Sequence, residues 1–401
     1  MLQTLNTALK GVSAYRHILK QPVMETSLRF LNSLARGQGE QAMEQYAELF
    51  FQLRSEGCPG LGGWLLSQLR YEESAYAALL EREASDPVLE QAARRDIETF
   101  SALCALDSGE MIGEIGRLLP PEYSAALERL PQLSSQVPFD FESLTRFYRE
   151  NGGGIFARYQ AFIWERGRLV PVAEPDTKGT ESLVGFERQR EEVIANTRAM
   201  LSGKAVNNVL LYGDSGTGKS VTVKSLLAVP GFEQLRLIEV DKSDLGDIPV
   251  LLRQLGGRRQ KFILFIDDLA FDQDDKTYSN LKTILEGGLE KRPENVAVYA
   301  TSNRRNLVRQ TFSDRAGDEI DAGETIQEKT ALADRFGLRI AYLALSKPEF
   351  LELVCQLAEQ NGIEMERDTL RAEAIKWEMH HPGRTPRVAR QFILSLKAQQ
   401  A

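Results

Sequence analysis

One eight-residue segment constrains this chain more than any other. Gly213-Asp214-Ser215-Gly216-Thr217-Gly218-Lys219-Ser220 stands between an apolar run, Val209 to Tyr212, and a helical segment reaching Leu227. A glycine-rich turn between strand and helix lets successive backbone N–H groups point inward at the positive end of a helix. That arrangement holds phosphate oxygens. Lys219 would reach the β- and γ-phosphates and Ser220 would ligate Mg²⁺, so Gly213 to Ser220 are the candidate nucleotide-binding residues, with ATP and Mg²⁺ as the expected ligands. A merely structural glycine-rich turn is the bland alternative, and the strand-loop-helix setting weighs against it.

A second apolar run, Phe262 to Ile266, ends in Asp267 and Asp268. Ligands of open α/β sheets bind at the carboxyl ends of strands, where paired acids serve no packing purpose. Asp267 would join Ser220 on the metal, and Asp268 would orient or activate an attacking water. Acids commonly follow strands, so this motif gains force only beside the glycine-rich loop. A third run ends in Thr301-Ser302-Asn303, followed by Arg304 and Arg305. An amide there could bond both the γ-phosphate and the water; a turn-forming Asn is the plain alternative.

The rhythm of the chain divides it. Residues 1–170 carry helical spacing almost throughout, as at Met43, Tyr46, Phe50 and Leu53, or Ile97, Phe100, Leu103 and Cys104. Breaks at Gly57 to Gly63, Ser85-Asp86-Pro87 and Pro120-Pro121 separate the helices. This predicts a separate N-terminal all-α domain. Gly152 to Gly154 lead into an aromatic stretch, Phe156, Tyr159, Phe162 and Trp164, expected to pack against the following domain. Residues 171–182, rich in Pro, Gly and charge, read as a linker.

From 183 to 345, the runs Val209 to Tyr212, Leu235 to Val240, Phe262 to Ile266, Val296 to Ala300 and Leu338 to Leu343 alternate with helical stretches. The pattern predicts an α/β fold with a five-stranded parallel sheet and helices on both faces. Residues 346–401 are helical again. They open with a capping box at Ser346 and Glu349, and Phe350, Leu353, Val354 and Leu357 form one face.

Across 401 residues, 42% hydrophobic and 26% charged, a disordered chain is excluded. A net charge of −8, from 49 basic and 57 acidic residues, argues against coating nucleic acid by bulk charge. No apolar run is long enough to span a membrane and the N-terminus lacks a secretory pattern, so a cytoplasmic protein with no membrane segment is expected. Cys58, Cys104 and Cys355 have no metal or redox spacing. His17, His380 and His381 leave little for a histidine-based site, and the latter two sit beside Pro382-Gly383, a loop position.

Together these segments resemble the AAA+ P-loop ATPases. Gly213 to Ser220 is similar to their Walker A motif, Phe262 to Asp268 to Walker B, and Asn303 falls at sensor 1. Ala333-Asp334-Arg335-Phe336-Gly337 resembles the box of Holliday-junction branch-migration motors whose arginine reaches a neighbouring subunit's nucleotide. Gly383-Arg384-Thr385-Pro386-Arg387 is similar to sensor 2, which implies Arg387 on the γ-phosphate from a helical lid, with Arg384 a competitor. Leu183-Val184-Gly185-Phe186-Glu187 resembles the segment packed around adenine, implying Val184 and Gly185. The strings NNVLLYGDSGTGKS, FILFIDDLAF, LEGG, YATSNRRNL and ADRFGLRI resemble a bacterial AAA+ family described as ATP-binding proteins of unknown function.

The resemblance implies Lys219, Asp267, Asp268, Asn303, Arg335 and Arg387 as catalytic residues and a nucleotide-dependent homo-oligomer, with a hexamer one candidate size. A partner's guanidinium opposite the γ-phosphate accelerates turnover by about 10³ to 10⁵. The plain alternative for Arg335 is an ion pair with Asp334.

Two departures matter. Asp241 to Gln260 lacks the aromatic residue of protein-threading motors, and its Arg253, Arg258 and Arg259, with Lys261, are a solvated helix end or a nucleic-acid contact. Asn306 to Thr330 is a long charged insertion of undetermined role. The expected function is an ATPase that couples Mg-ATP hydrolysis to conformational change acting on a protein or nucleic-acid partner. A nucleotide-gated loader or scaffold with slow turnover is the alternative, since Asp268 stands where a longer Glu is usual. A small-molecule kinase ranks third.

Overall fold

The computed structural model describes residues 2–133, 137–177, 185–271, 281–282, 285, 292–303, 332–381 and 383–400. Two compact units result, Met1–Arg158 and Tyr159–Ala401.

The first unit is helical. Its longer helices are Pro22–Ala35, Gly39–Ser55, Leu61–Tyr71, Pro87–Cys104, Ser108–Leu118 and Phe141–Asn151. Their starts follow local chemistry. Asp86 accepts from the Val88 and Leu89 N–H groups ahead of Pro87, and Asp107 caps the next helix in the same way. Asp140 and Ser143 close a capping box. Helix Gly39–Ser55 buries Ala42, Tyr46, Leu49 and Leu53, so the core stripe runs one position aside from the expected Met43 and Phe50, which only flank it. Ile97, Phe100, Leu103 and Cys104 are all buried. A buried acid of this core is paired: the Asp96 carboxylate accepts from the Ser13 and Tyr15 N–H groups at 3.0 and 3.1 Å. Tyr148, whose hydroxyl burial pushes up to about 12, donates to the Leu69 carbonyl.

The second unit is built on a seven-stranded sheet: β1 (Ala161–Glu165), β2 (Arg168–Val172), β3 (Val209–Gly213), β4 (Leu235–Val240), β5 (Lys261–Ile266), β6 (Val296–Ser302) and β7 (Leu338–Tyr342). The order is β2-β1-β4-β5-β6-β3-β7, all neighbours parallel except the β1–β2 hairpin. The five runs foreseen from the sequence lie in β3 to β7. Two strands were not foreseen, and they correct the domain boundaries. The segment 161–172, assigned to the end of the helical domain and the start of a linker, extends the sheet instead. Phe162 and Trp164 point into the core while Ile163 is 42% exposed, the alternation of a strand covered on one face. The Trp164 indole donates to Asp247 at 3.3 Å. Phe162 and Trp164 of the aromatic stretch are thus part of the sheet itself, while Phe156 lies in the short helix Ile155–Arg158. Residues 178–182 of the expected linker lie outside the described residues.

Both β5 and β6 are buried along nearly their whole length, as continuous apolar runs in parallel sheets are. Helix Glu187–Leu201 covers one face, pinned by the Tyr299 hydroxyl, which bonds Thr197 Oγ1 at 2.8 Å and accepts from Asn196 at 2.9 Å. Helices Lys347–Gln360, Arg367–His380 and Pro386–Gln400 form a smaller apolar cluster with Phe350, Leu353, Leu370 and Phe392 buried. The capping box of Ser346 and Glu349 starts the first of them. His380 ends a helix rather than lying in a loop, and the His381 ring stacks on Trp377 at 4.0 Å.

Tyr299→Phe removes two hydrogen bonds of the Tyr299 hydroxyl, while Thr197 Oγ1 keeps the Val193 carbonyl and the Asn196 amide keeps the Asn207 carbonyl. It is expected to cost about 1–3 kcal/mol of stability, read as a lower denaturant midpoint with secondary structure retained.

Candidate functional site

The parallel order β5-β6-β3 sets three strand ends side by side. The glycine-rich loop leaves β3, Asp267 and Asp268 leave β5, and Thr301 to Asn303 leave β6. Chain crossing makes this edge a ligand site in open α/β sheets.

The loop is shaped by contacts that exclude side chains. At Gly213 φ is +137°, and a Cβ there would sit 2.1 Å from the Tyr342 carbonyl oxygen. The next N–H, of Asp214, donates to that same carbonyl at 2.9 Å. Gly216 and Gly218 have φ of +77° and +97°, the second opening helix Lys219–Lys224. Thr217 Oγ1 donates across the loop to the Asp214 carbonyl at 2.8 Å.

Lys219 is 6% exposed and its ammonium is fully engaged, donating to the Gly213 carbonyl (2.9 Å), the Asp214 carbonyl (2.7 Å) and Asn303 Oδ1 (2.9 Å). Desolvation lowers its pKa from 10.5, opposed by the charges of Asp214, Asp268 and Asp267 and aided by Arg387. Ser220 Oγ donates to Asp267 Oδ1 at 2.6 Å, and the Thr301 hydroxyl donates to the same oxygen. Asp268 takes a left-handed conformation, φ +50°, with its N–H on Thr301 Oγ1 at 2.9 Å. Asn303 Nδ2 donates to Asp268 Oδ1 at 2.7 Å. Asn303 therefore links the lysine to the second carboxylate.

The surrounding cavity, about 470 Å³, is lined by Lys219, Ser220, both aspartates, Thr301 and Asn303 from the sheet side and by Arg387, Arg390, Gln391 and Leu394 from helix Pro386–Gln400. The donor set suits a nucleotide with Mg²⁺. A buried ammonium meets phosphates, while the touching Ser220 hydroxyl and Asp267 carboxylate are hard oxygen ligands. Among the described residues no three His, Cys, Asp or Glu side chains gather into a metal site of their own. A Mg²⁺ ion here would take its remaining oxygens from phosphates and water.

Of the residues singled out from the sequence, Ser215, Gly216, Gly218, Lys219, Ser220, Asp267, Asp268, Asn303 and Arg387 line this cavity. Between the two lid arginines, Arg384 is bound to Glu378 at 2.7 Å, and Arg387 faces the loop. Arg335 is half-buried and does not line the cavity. Asp334 pairs with Arg339 at 2.6 Å. Gly185 also lies away from the lining, with φ +88°, and the next residue, Phe186, stacks on Tyr342 at 4.9 Å. Val184, Arg304, Arg305 and the insertion Asn306 to Thr330 lie outside the described residues.

Sequence reasoning missed Thr301 and Arg390. A hydroxyl two residues before Asn303 on a strand shares its direction. Arg390, Gln391 and Leu394 follow Arg387 at i+3, i+4 and i+7, one helical face.

Gly213→Ala combines a strained φ with overlap on a backbone oxygen and is expected to cost about 2–6 kcal/mol, read by chemical denaturation. Lys219 yields a pH signature. Between its depressed pKa and the ordinary 10.5 the unfolded chain holds more protons at this site than the folded one, so its contribution to stability rises with pH. The stability of the native protein relative to Lys219→Met should accordingly increase as pH climbs toward 10.5 in denaturation series.

Known structures show likeness over somewhat more than half of the chain. A point variant of RuvB from Thermotoga maritima aligns at 19% identity and TM-score 0.38, covering 54% of this chain and 62% of that chain. The Thermotoga maritima RuvB Holliday junction branch migration motor aligns at 18% identity and TM-score 0.36, over 53% of this chain and 60% of that one. A chain of the HORMA:CdnC:Trip13 complex of E. coli MS115-1 aligns at 11% identity and TM-score 0.37, over 56% of this chain and 92% of that one. The chain thus spans less than two thirds of the length of the RuvB chains it matches. No curated protein matches it. Residues 157–400, from just before β1 to the end of the last helix, match the family described as "Protein of unknown function (DUF815)", and the chain belongs to that family.

Proposed function

We propose that this protein binds Mg-ATP in the β3 loop, hydrolyses it, and uses the resulting change of shape to act on a macromolecular partner. The observation that carries the reading is the chain of contacts Ser220–Asp267–Thr301–Asp268–Asn303–Lys219 at one sheet edge, facing Arg387. Each member has a task in phosphoryl transfer. Lys219 exchanges its carbonyl partners for phosphate oxygens, and an anion there restores the ammonium that burial disfavours. Ser220 and Asp267 would hold Mg²⁺, which would supply positive charge against the phosphates. Asp268 accepts a hydrogen bond from, and then a proton of, the attacking water. Asn303, already on Asp268, keeps that carboxylate aimed and can turn its amide to the γ-phosphate. Arg387 enters from the lid helix, so the lid's position depends on whether a γ-phosphate is present.

Arg335, away from its own subunit's cavity, fits a role in a neighbouring subunit's site, which makes the active form an oligomer. Gly185 and Val184 are proposed beside the base. A second reading, a nucleotide-gated scaffold with little turnover, is favoured by Asp268, which is a carbon shorter than Glu and is engaged by Asn303.

Calorimetry with Mg-ATP and phosphate-release assays separate these readings. Lys219→Ala should abolish association, while Arg335→Ala should keep it and lose about 10³-fold or more in turnover. Mixing the Arg335→Ala protein with Asp268→Asn subunits should recover part of that turnover, because intact sites then face intact arginines. Turnover indifferent to Arg335→Ala would remove the shared site. Tight binding without turnover in the native protein would select the scaffold.

A further inference from the structure

Asp214 occupies a position at odds with the loop around it. A carboxylate within a phosphate-binding turn opposes the ligand's charge, yet it is the second residue of the turn. Its carbonyl accepts from Lys219 and Thr217 within the loop, whereas its N–H and carboxylate are bonded outside it. The Asp214 N–H donates to the Tyr342 carbonyl at 2.9 Å, and its Oδ2 accepts from the Ala344 N–H at 2.6 Å. These two bonds bracket Leu343, which is 60% exposed, at the point where β7 ends and the chain turns toward helix Lys347–Gln360. An ionised acceptor on a backbone N–H is among the stronger hydrogen bonds available to an exposed hinge.

The hinge is tied onward. The Leu345 N–H donates to the Arg384 carbonyl at 2.9 Å, and the Arg387 N–H donates to the Gly216 carbonyl at 3.2 Å. A circuit results, running Asp214, Ala344, Leu345, Arg384, Arg387, Gly216 and back through the loop. Its links are backbone to backbone except one, the Asp214 carboxylate. At Gly216 the approach is so close that a Cβ would stand 3.0 Å from the Arg387 Cβ.

We propose that Asp214 is a positioning residue that latches the hinge to the phosphate loop and thereby sets where Arg387 stands over the site. Its carboxylate serves the hinge and not the nucleotide. Loop and lid then move as one, and whatever shifts the loop is passed to the helical cluster through the Ala344 N–H. The effect on turnover rests on the nucleotide reading above, but the latch itself does not.

Hydrogen exchange of the native full-length chain, with peptides covering Leu343 to Phe350, tests the latch without nucleotide. Asp214→Ala should speed exchange at Ala344 by at least about tenfold. Asp214→Asn, which keeps an oxygen acceptor, should restore part of the protection. Unchanged exchange in a folded Asp214→Ala protein would overturn the proposal. A turnover cycle adds the coupling: Arg387→Ala should lower phosphate release in the native background and change it little further in Asp214→Ala. Fully additive losses would mean that Asp214 does not act through Arg387. Faster Ala344 exchange in a protein that binds no Mg-ATP would sustain the latch and overturn the nucleotide reading, so the two fail separately.

Discussion

Everything at the site follows from β6 lying between β5 and β3. With parallel neighbours in that order, the chain must deliver the glycine-rich loop, the paired aspartates and the Thr301–Asn303 turn to a single edge, within side-chain reach. The continuous burial of β5 and β6 holds those ends in place, because a register slip would carry apolar side chains out of the core. The hydroxyl of Thr301 then joins the two aspartates, and Asn303 joins the second aspartate to Lys219.

The protein's own groups balance the charge of that edge only in part. A nearly buried ammonium is paired with two carbonyls and one amide oxygen, all neutral, while carboxylates stand near it. Neutral acceptors compensate a buried cation only in part, which is why burial still depresses the lysine. Phosphate oxygens would complete the balance, and Arg387 supplies further positive charge from the lid side. The same loop carries a carboxylate, Asp214, turned outward to the hinge, where its charge strengthens a bond to a backbone N–H.

Much of this is legible in the sequence. The spacing of glycines around Lys219, the acids after Phe262 to Ile266 and the helical face of Phe350, Leu353, Val354 and Leu357 each depend on local geometry, which short stretches of chain encode directly. The β1–β2 hairpin was not legible. Five-residue strands separated by Arg166-Gly167, rich in aromatics and following a glycine turn, look the same whether they pair with a sheet or pack beneath one. Thr301 and Arg390 were hidden for a related reason: nothing in their immediate neighbours tells a strand-end hydroxyl or an exposed helix arginine which other segment it will meet.

By itself the sequence determined the strands β3 to β7 and the helical stretches, where a tight left-handed loop must occur, and which side chains can carry phosphate and metal chemistry. These are consequences of backbone sterics, capping and apolar periodicity within a few residues of each position. The tertiary structure alone decided that Arg387 rather than Arg384 faces the cavity, that the Asp214 carboxylate meets the Ala344 N–H, and that Arg335 does not line the cavity. Those outcomes depend on the meeting of segments more than a hundred residues apart, such as Asp214 with Ala344, and on the helix phase of Pro386–Gln400 against the loop. Such contacts are set by the packing of whole elements, and no local pattern records them.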